Sequence, residues 1–160
     1  MAIDMFIKIG DIEGESVDSV HAKDIDVLAW SWGMSQSGTT HTGGGGGSGK
    51  VSVQDISLTK YVDASSHALI QACCGGKHYP EAKLVVRKAG GEQLEYIIIT
   101  MTEVIVTSVS TGGSGGEDRL TENVSLNFAK FKFEYAPQGT AGGLDAVKDY
   151  TYNIAENKAE

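Results

Sequence analysis

The sequence predicts a mainly β fold: a compact β-barrel of two packed sheets with one flanking α-helix and a long protruding glycine-rich loop. Three observations carry this. From Ile3 to Ile154 short stretches alternate apolar and polar residues, the period-two pattern of half-buried strands. A single segment, Asp63 to Gly76, has a helical period instead. Ser35 to Lys50 contains Gly38, the run Gly43–Gly47 and Gly49, too flexible to fold alone and too long for a hairpin turn. Seven or more strands with one helix indicate a barrel or sandwich, and 160 residues make one domain spanning 1–160.

In chain order, Ala2 to Ile9 reads as a strand, followed by turns at Gly10-Asp11 and Glu13-Gly14-Glu15-Ser16. Asp24 to Gly33 is a second strand with two faces. Leu28, Trp30 and Trp32 share one, and Val27, Ala29, Ser31 and Gly33 the other. The tryptophan face is the better core candidate, since two indoles remove the most apolar area from water. Val51 to Val62 changes phase between Val53 and Ile56, which predicts a bulge near Gln54 or Asp55.

The helix is expected over about 64–74. Asp63, Ser65 and Ser66 offer capping oxygens; Leu69, Ala72 and Cys73 form an apolar stripe that Ile70 and Cys74 widen; Gly75 and Gly76 stop it. So short a helix needs tertiary packing to persist. Ala82 to Lys88 is a strand, and Glu92 to Ser110 makes two strands or one long bent one. Leu120 to Tyr135 slips phase at Phe128-Ala129, a second bulge that lets the strand bend between sheets. A last short strand covers Tyr150 to Ile154, and residues 155–160 are expected to fray.

The net charge of −8 argues against nucleic acid or an anionic membrane as partner. No apolar run approaches a membrane span, and no signal-peptide pattern stands at the start. Adjacent Cys73 and Cys74 read as reduced, small apolar helix residues, which suits folding in a cytoplasm.

Gly44 to Lys50 matches seven positions of a phosphate-binding loop, but Val51 stands where Ser or Thr must hold Mg²⁺, and a strand follows instead of a helix. His21, His41, His67 and His78 are scattered outside metal-ligand spacing. Asp24 and Asp26 read as a solvated strand start rather than an acid–base pair. No catalytic residues, cofactor or metal are expected, and no enzymatic activity.

Three segments taken in order carry a resemblance: Ile9-Gly10-Asp11-Ile12-Glu13-Gly14-Glu15-Ser16 followed by Asp26 to Gly33; Lys60-Tyr61-Val62-Asp63 leading into the helix; and Glu122 to Lys130. Together they resemble the haemolysin co-regulated protein (Hcp) family, the tube subunit of bacterial type VI secretion systems, over about Ile3 to Tyr135. Phe133 departs from the family pattern, where Trp is common, as does His67, where Pro often opens the helix.

The resemblance implies a six-membered ring with an open lumen, rings that stack into an exported tube, and effector proteins held in the lumen. Its partners are then the chain itself as a homohexamer, secreted effectors, and the sheath and spike of the machine. The protein would be cytoplasmic on synthesis and secreted without a cleaved signal peptide. On this reading Val27, Ala29 and Ser31 face the lumen, the alternative being a sheet-to-helix contact with Ala68 and Ala72. The loop residues Thr40, His41, Gly43, Gly44, Gly45, Gly46, Gly47 and Ser48 contact the next ring. A monomeric β-barrel binding a small ligand or glycan is the alternative function, and a phage tail-tube protein a close cousin of the first.

Overall fold

The structure, a computed structural model, describes residues 2–38, 50–89, 93–139 and 143–160. Along these run β1 (Ile3–Ile9), β2 (Ile25–Asp26), β3 (Ala29–Ser31), β4 (Met34–Ser35), β5 (Ser52–Val53), β6 (Ile56–Tyr61), α1 (Ser66–Gly75), β7 (His78–Lys88), β8 (Glu95–Thr111), β9 (Thr121–Tyr135), β10 (Lys148–Asn153) and β11 (Lys158–Ala159). The mainly β fold with one helix is as expected.

All pairing is antiparallel. β7, β8 and β9 form a meander; β1 joins β7, β2 joins β1, and β10 and β11 extend the other side of β9. The first half of β9 pairs instead with β6, which pairs with β3. β4 and β5 make a separate ribbon.

The second predicted strand is broken in two, and the break matters. Val27 N–H donates to Met5 O at 2.9 Å, whereas Leu28 N–H donates to Thr59 O at 2.8 Å. Consecutive residues thus bond to different strands, and the chain itself bridges β1 to β6 where the ladder is not continuous. The switch also shifts the phase. Ile25 and Val27 point into the core, Leu28, Ala29 and Ser31 point outward, and Trp30 and Trp32 are half-buried against the core. Trp32 packs edge-on to Phe131 at 4.8 Å between centroids, and its Nε1–H donates to Gln54 O at 3.0 Å.

Both predicted phase changes are present. The break at Gln54–Asp55 separates β5 from β6, which take different partners. In β9 the buried series Val124, Leu126, Phe128 gives way to Phe131. Opposite this point Glu103 of β8 has φ 57 and drops out of the register.

Ser65 occupies the helix N-cap without using its side chain there; Asp63 Oδ1 accepts from Ser65 N–H at 2.9 Å, and Ser66 Oγ accepts from Asp63 N–H at 3.0 Å. Gly76 ends the helix at φ 63, ψ 33, the left-handed conformation glycine adopts without strain. Leu69 and Ala72 are buried and Cys73 partly so, but Ile70 and Cys74 are exposed, so the stripe is narrower than the sequence suggests. The expected fraying of residues 155–160 is corrected. β11 pairs with β10, Glu160 N–H donates to Thr151 O at 3.0 Å, and the Glu160 carboxylate pairs with Lys130.

A charged clamp fastens the segment after β1. Arg87, itself 2% exposed, donates from Nη1 to Asp18 Oδ2 at 3.0 Å, pairs with Asp18 again through Nη2, and reaches Asp4. His21 stacks on Phe6 at 4.7 Å and sits between Asp24 and Glu95, at 2.9 and 2.7 Å. Asp24 is thereby engaged by His21 while Asp26 lies exposed on β2, so the two aspartates do not form a pair.

The Arg87 hydrogen bond, helped by backbone N–H groups of Val20 and His21 against the effect of burial, holds the Asp18 carboxyl well below the usual range. A carboxylate depressed on folding stabilises fully above its unfolded pKa of about 4 and loses that contribution as pH falls toward the folded value. Acid titration of unfolding should therefore show stability falling with pH below about 4. Asp18→Asn should flatten that slope; an unchanged slope would remove Asp18 from the acid response.

Candidate functional site

Four strands, β3, β6, the first half of β9 and the last third of β8, present one outward face. Their inward residues build the core: Ile56 and Leu58 on β6, Val124 and Leu126 on β9, and Val104 and Val106 on β8 are buried. Alternation forces their neighbours outward. The register sets these neighbours in two cross-strand rows. One is Ala29, Thr59, Asn123, Ser110; the other is Ser31, Ser57, Ser125, Ser108. Seven of the eight carry a hydroxyl or an amide, and all are small, so the surface is polar, uncharged and low.

A bulge adds a third level. The β8–β9 register slips between Val106 and Ser108, leaving Thr107 as the extra residue. A bulged residue escapes strict alternation, and Thr107 and Ser108 both reach Ser125, Thr107 Oγ1 at 2.7 Å from Ser125 Oγ. Thr107 Oγ1 also donates to Asp55 Oδ2 at 2.7 Å, and Asn127 Nδ2 donates to Asp55 Oδ1 at 2.8 Å. Thr59 Oγ1 donates to Asn123 Oδ1 at 2.8 Å. These are good hydrogen-bond lengths, and they hold the face in one arrangement before anything docks on it.

Two sides of this four-stranded surface are open. Among the described residues β3 has a strand partner only in β6. β8 beyond Ile105 pairs only with β9, because β7 ends its pairing at His78 opposite Ile105. Unpaired strand edges are templates for joining another chain.

Of the residues expected to face a lumen, Ala29 and Ser31 lie on this exposed face, and the helix does not cover them. Val27 is corrected: at 6% exposure it belongs to the core, because the partner switch at Val27–Leu28 reverses the phase. Thr40, His41, Gly43, Gly44, Gly45, Gly46, Gly47 and Ser48 lie outside the described residues. The sequence reading missed Asp55, Ser57, Thr59, Asn123, Ser125 and Thr107. The alternation Ile56-Ser57-Leu58-Thr59 against Val124-Ser125-Leu126-Asn127 was the signal for most of them.

A family model described as type VI secretion system effector, Hcp, matches residues 6–135. The chain belongs to the Hcp family of type VI secretion proteins. Protein hcp1 of Pseudomonas aeruginosa is 69% identical, the match covering 98% of each chain. A solved type six secretion system protein superposes with a TM-score of 0.93 at 30% identity, covering 99% of this chain and all of the other. Hcp1 from Salmonella typhimurium gives 0.83 at 37% identity over the whole of both chains. The likeness to Hcp proteins thus runs the full length, and the polar face is part of an Hcp fold.

Proposed function

We propose that this chain is the ring-forming subunit of a type VI secretion inner tube, structural rather than catalytic, with the polar face as the inner wall. The observation that carries this is the pair of open edges, β3 on one side of the face and the end of β8 on the other. Two different edges make a heterologous contact, which closes into a ring when the rotation permits, whereas a self-complementary patch would stop at a dimer. Six copies of four strands at about 4.8 Å spacing give a wall of about 115 Å and a bore of about 37 Å between backbones, wide enough for a small folded protein. Small polar side chains keep that bore open and wettable. On this reading the protein is made in the cytoplasm, is exported with the tube, and stacks ring on ring through its glycine-rich loop inside the sheath behind the spike.

Gel filtration with light scattering at micromolar concentration should report about six times the 16.9 kDa chain mass. Ser31→Gln, which raises the floor of one row, should leave that mass unchanged while reducing retention of an effector about tenfold. Monomer alone in wild type would overturn the ring. Unchanged retention with intact rings would overturn the inner-wall assignment.

A further inference from the structure

We propose that Asp55 gives the inner wall a charge preference, so that it retains protein cargo through lysine or arginine side chains. This rests on the ring and cargo reading above. Among the described residues, the outward side chains of β3, β6, β8 from Ile105 onward and β9 up to Asn127 include no other charged group. The phase change at Gln54–Asp55 places this carboxylate at the edge of the two small-residue rows.

Each of its oxygens accepts one hydrogen bond, from Thr107 and from Asn127. A carboxylate has about four acceptor sites, so roughly half remain for a ligand while the group is held still. Lys130, three residues past Asn127 on β9, is paired with the Glu160 carboxylate, and Arg119 is stacked on Tyr61 at 3.7 Å. Tyr61 lies six residues along β6, about 20 Å away. Glu117 and Asp118 adjoin Arg119 in the chain. That separation exceeds the Debye length of about 8 Å at physiological salt, so Arg119 does not cancel Asp55.

Six copies form a belt with about 19 Å between neighbours on the wall estimated above. Each carboxylate therefore acts only on the side chain that touches it. An exposed pair changes affinity by roughly two- to fivefold; a passenger touching two or three gains about tenfold.

The experiment uses one small globular passenger in two surface versions, one rich in Lys and Arg and one rich in Asp and Glu, co-eluted with assembled rings. At low salt wild-type rings should retain the basic version about tenfold better. At roughly 0.5 M salt, where screening shortens to about 4 Å, the preference should vanish. Asp55→Asn, with rings verified by light scattering, should bring the two versions within about twofold. Ser57→Lys, which keeps Asp55 and adds a cation two residues away on the same face, should cancel the preference as Asp55→Asn does. Equal retention by wild-type rings, or a preference unchanged in Asp55→Asn, would overturn the proposal. Rings that retain neither version would overturn the cargo reading itself, and this inference with it.

Discussion

Lys60→Met is expected to lower the unfolding free energy by about 3–5 kcal/mol, because it strands a buried carboxylate. Lys60 is 1% exposed and Glu122 also 1%. The lysine ammonium pairs with Glu122 Oε1, lies 3.1 Å from Asp63 Oδ1 and donates to Tyr61 O at 2.8 Å, while Ser66 Oγ donates to the same Glu122 oxygen at 2.6 Å. The other Glu122 oxygen has no hydrogen-bond partner among the described residues. The ammonium is therefore the main compensation for burying that charge. In a chain of this size each kcal/mol moves the melting temperature by about 2–4 °C, so a drop of roughly 10 °C should appear in thermal unfolding. The double variant Lys60→Met, Glu122→Leu removes both charges and should recover most of the loss. A single variant melting within about 2 °C of wild type would show that the pair is not the buried unit described.

Leu69→Ala should cost about 2–5 kcal/mol, the range for emptying a fully buried leucine site. Leu69 is 0% exposed and, with Ala72, is the helix's main apolar anchor to the sheet. A ten-residue helix is not stable alone, so loosening this anchor should unseat the whole element. Denaturant titration measures it through the midpoint. Because Leu69 lies in the core and not on the polar face, the proposed ring should be unaffected well below the lowered melting temperature. A cost under about 1 kcal/mol would mean that the helix is held chiefly by the Lys60, Asp63 and Ser66 polar network at its start.

The strand pattern, the helix stop at Gly76 and the two phase changes were legible in the sequence because each depends on neighbours along the chain. Val27 was misread for a reason that local pattern cannot supply. Its parity follows from which strand its N–H meets, and the switch from Met5 to Thr59 is a long-range event. The ordering of the C-terminus was equally hidden, since it comes from Thr151 and Lys130 rather than from the composition of 155–160. The outward face was half legible: Ala29 and Ser31 were expected to point away from the core and are exposed, while Asp55 was seen only as a bulge position. Its place on the face depends on Thr107, which a bulge more than fifty residues away turns onto the same surface.

β9 is flanked on both sides for nearly its whole length. β8 covers one side, and β6 and then β10 cover the other. Between those last two, the Ala129 carbonyl accepts N–H groups from both Ile154 and Ala155. Each β9 amide is bonded to one of these neighbours and reaches solvent only when that strand leaves the sheet, so exchange along β9 should be among the slowest in the molecule. Among the described residues no strand pairs with the outer edge of β8 beyond Ile105. In one molecule the protein thus holds a rigid spine and, one strand away, a backbone edge that solvent reaches without any unfolding at all.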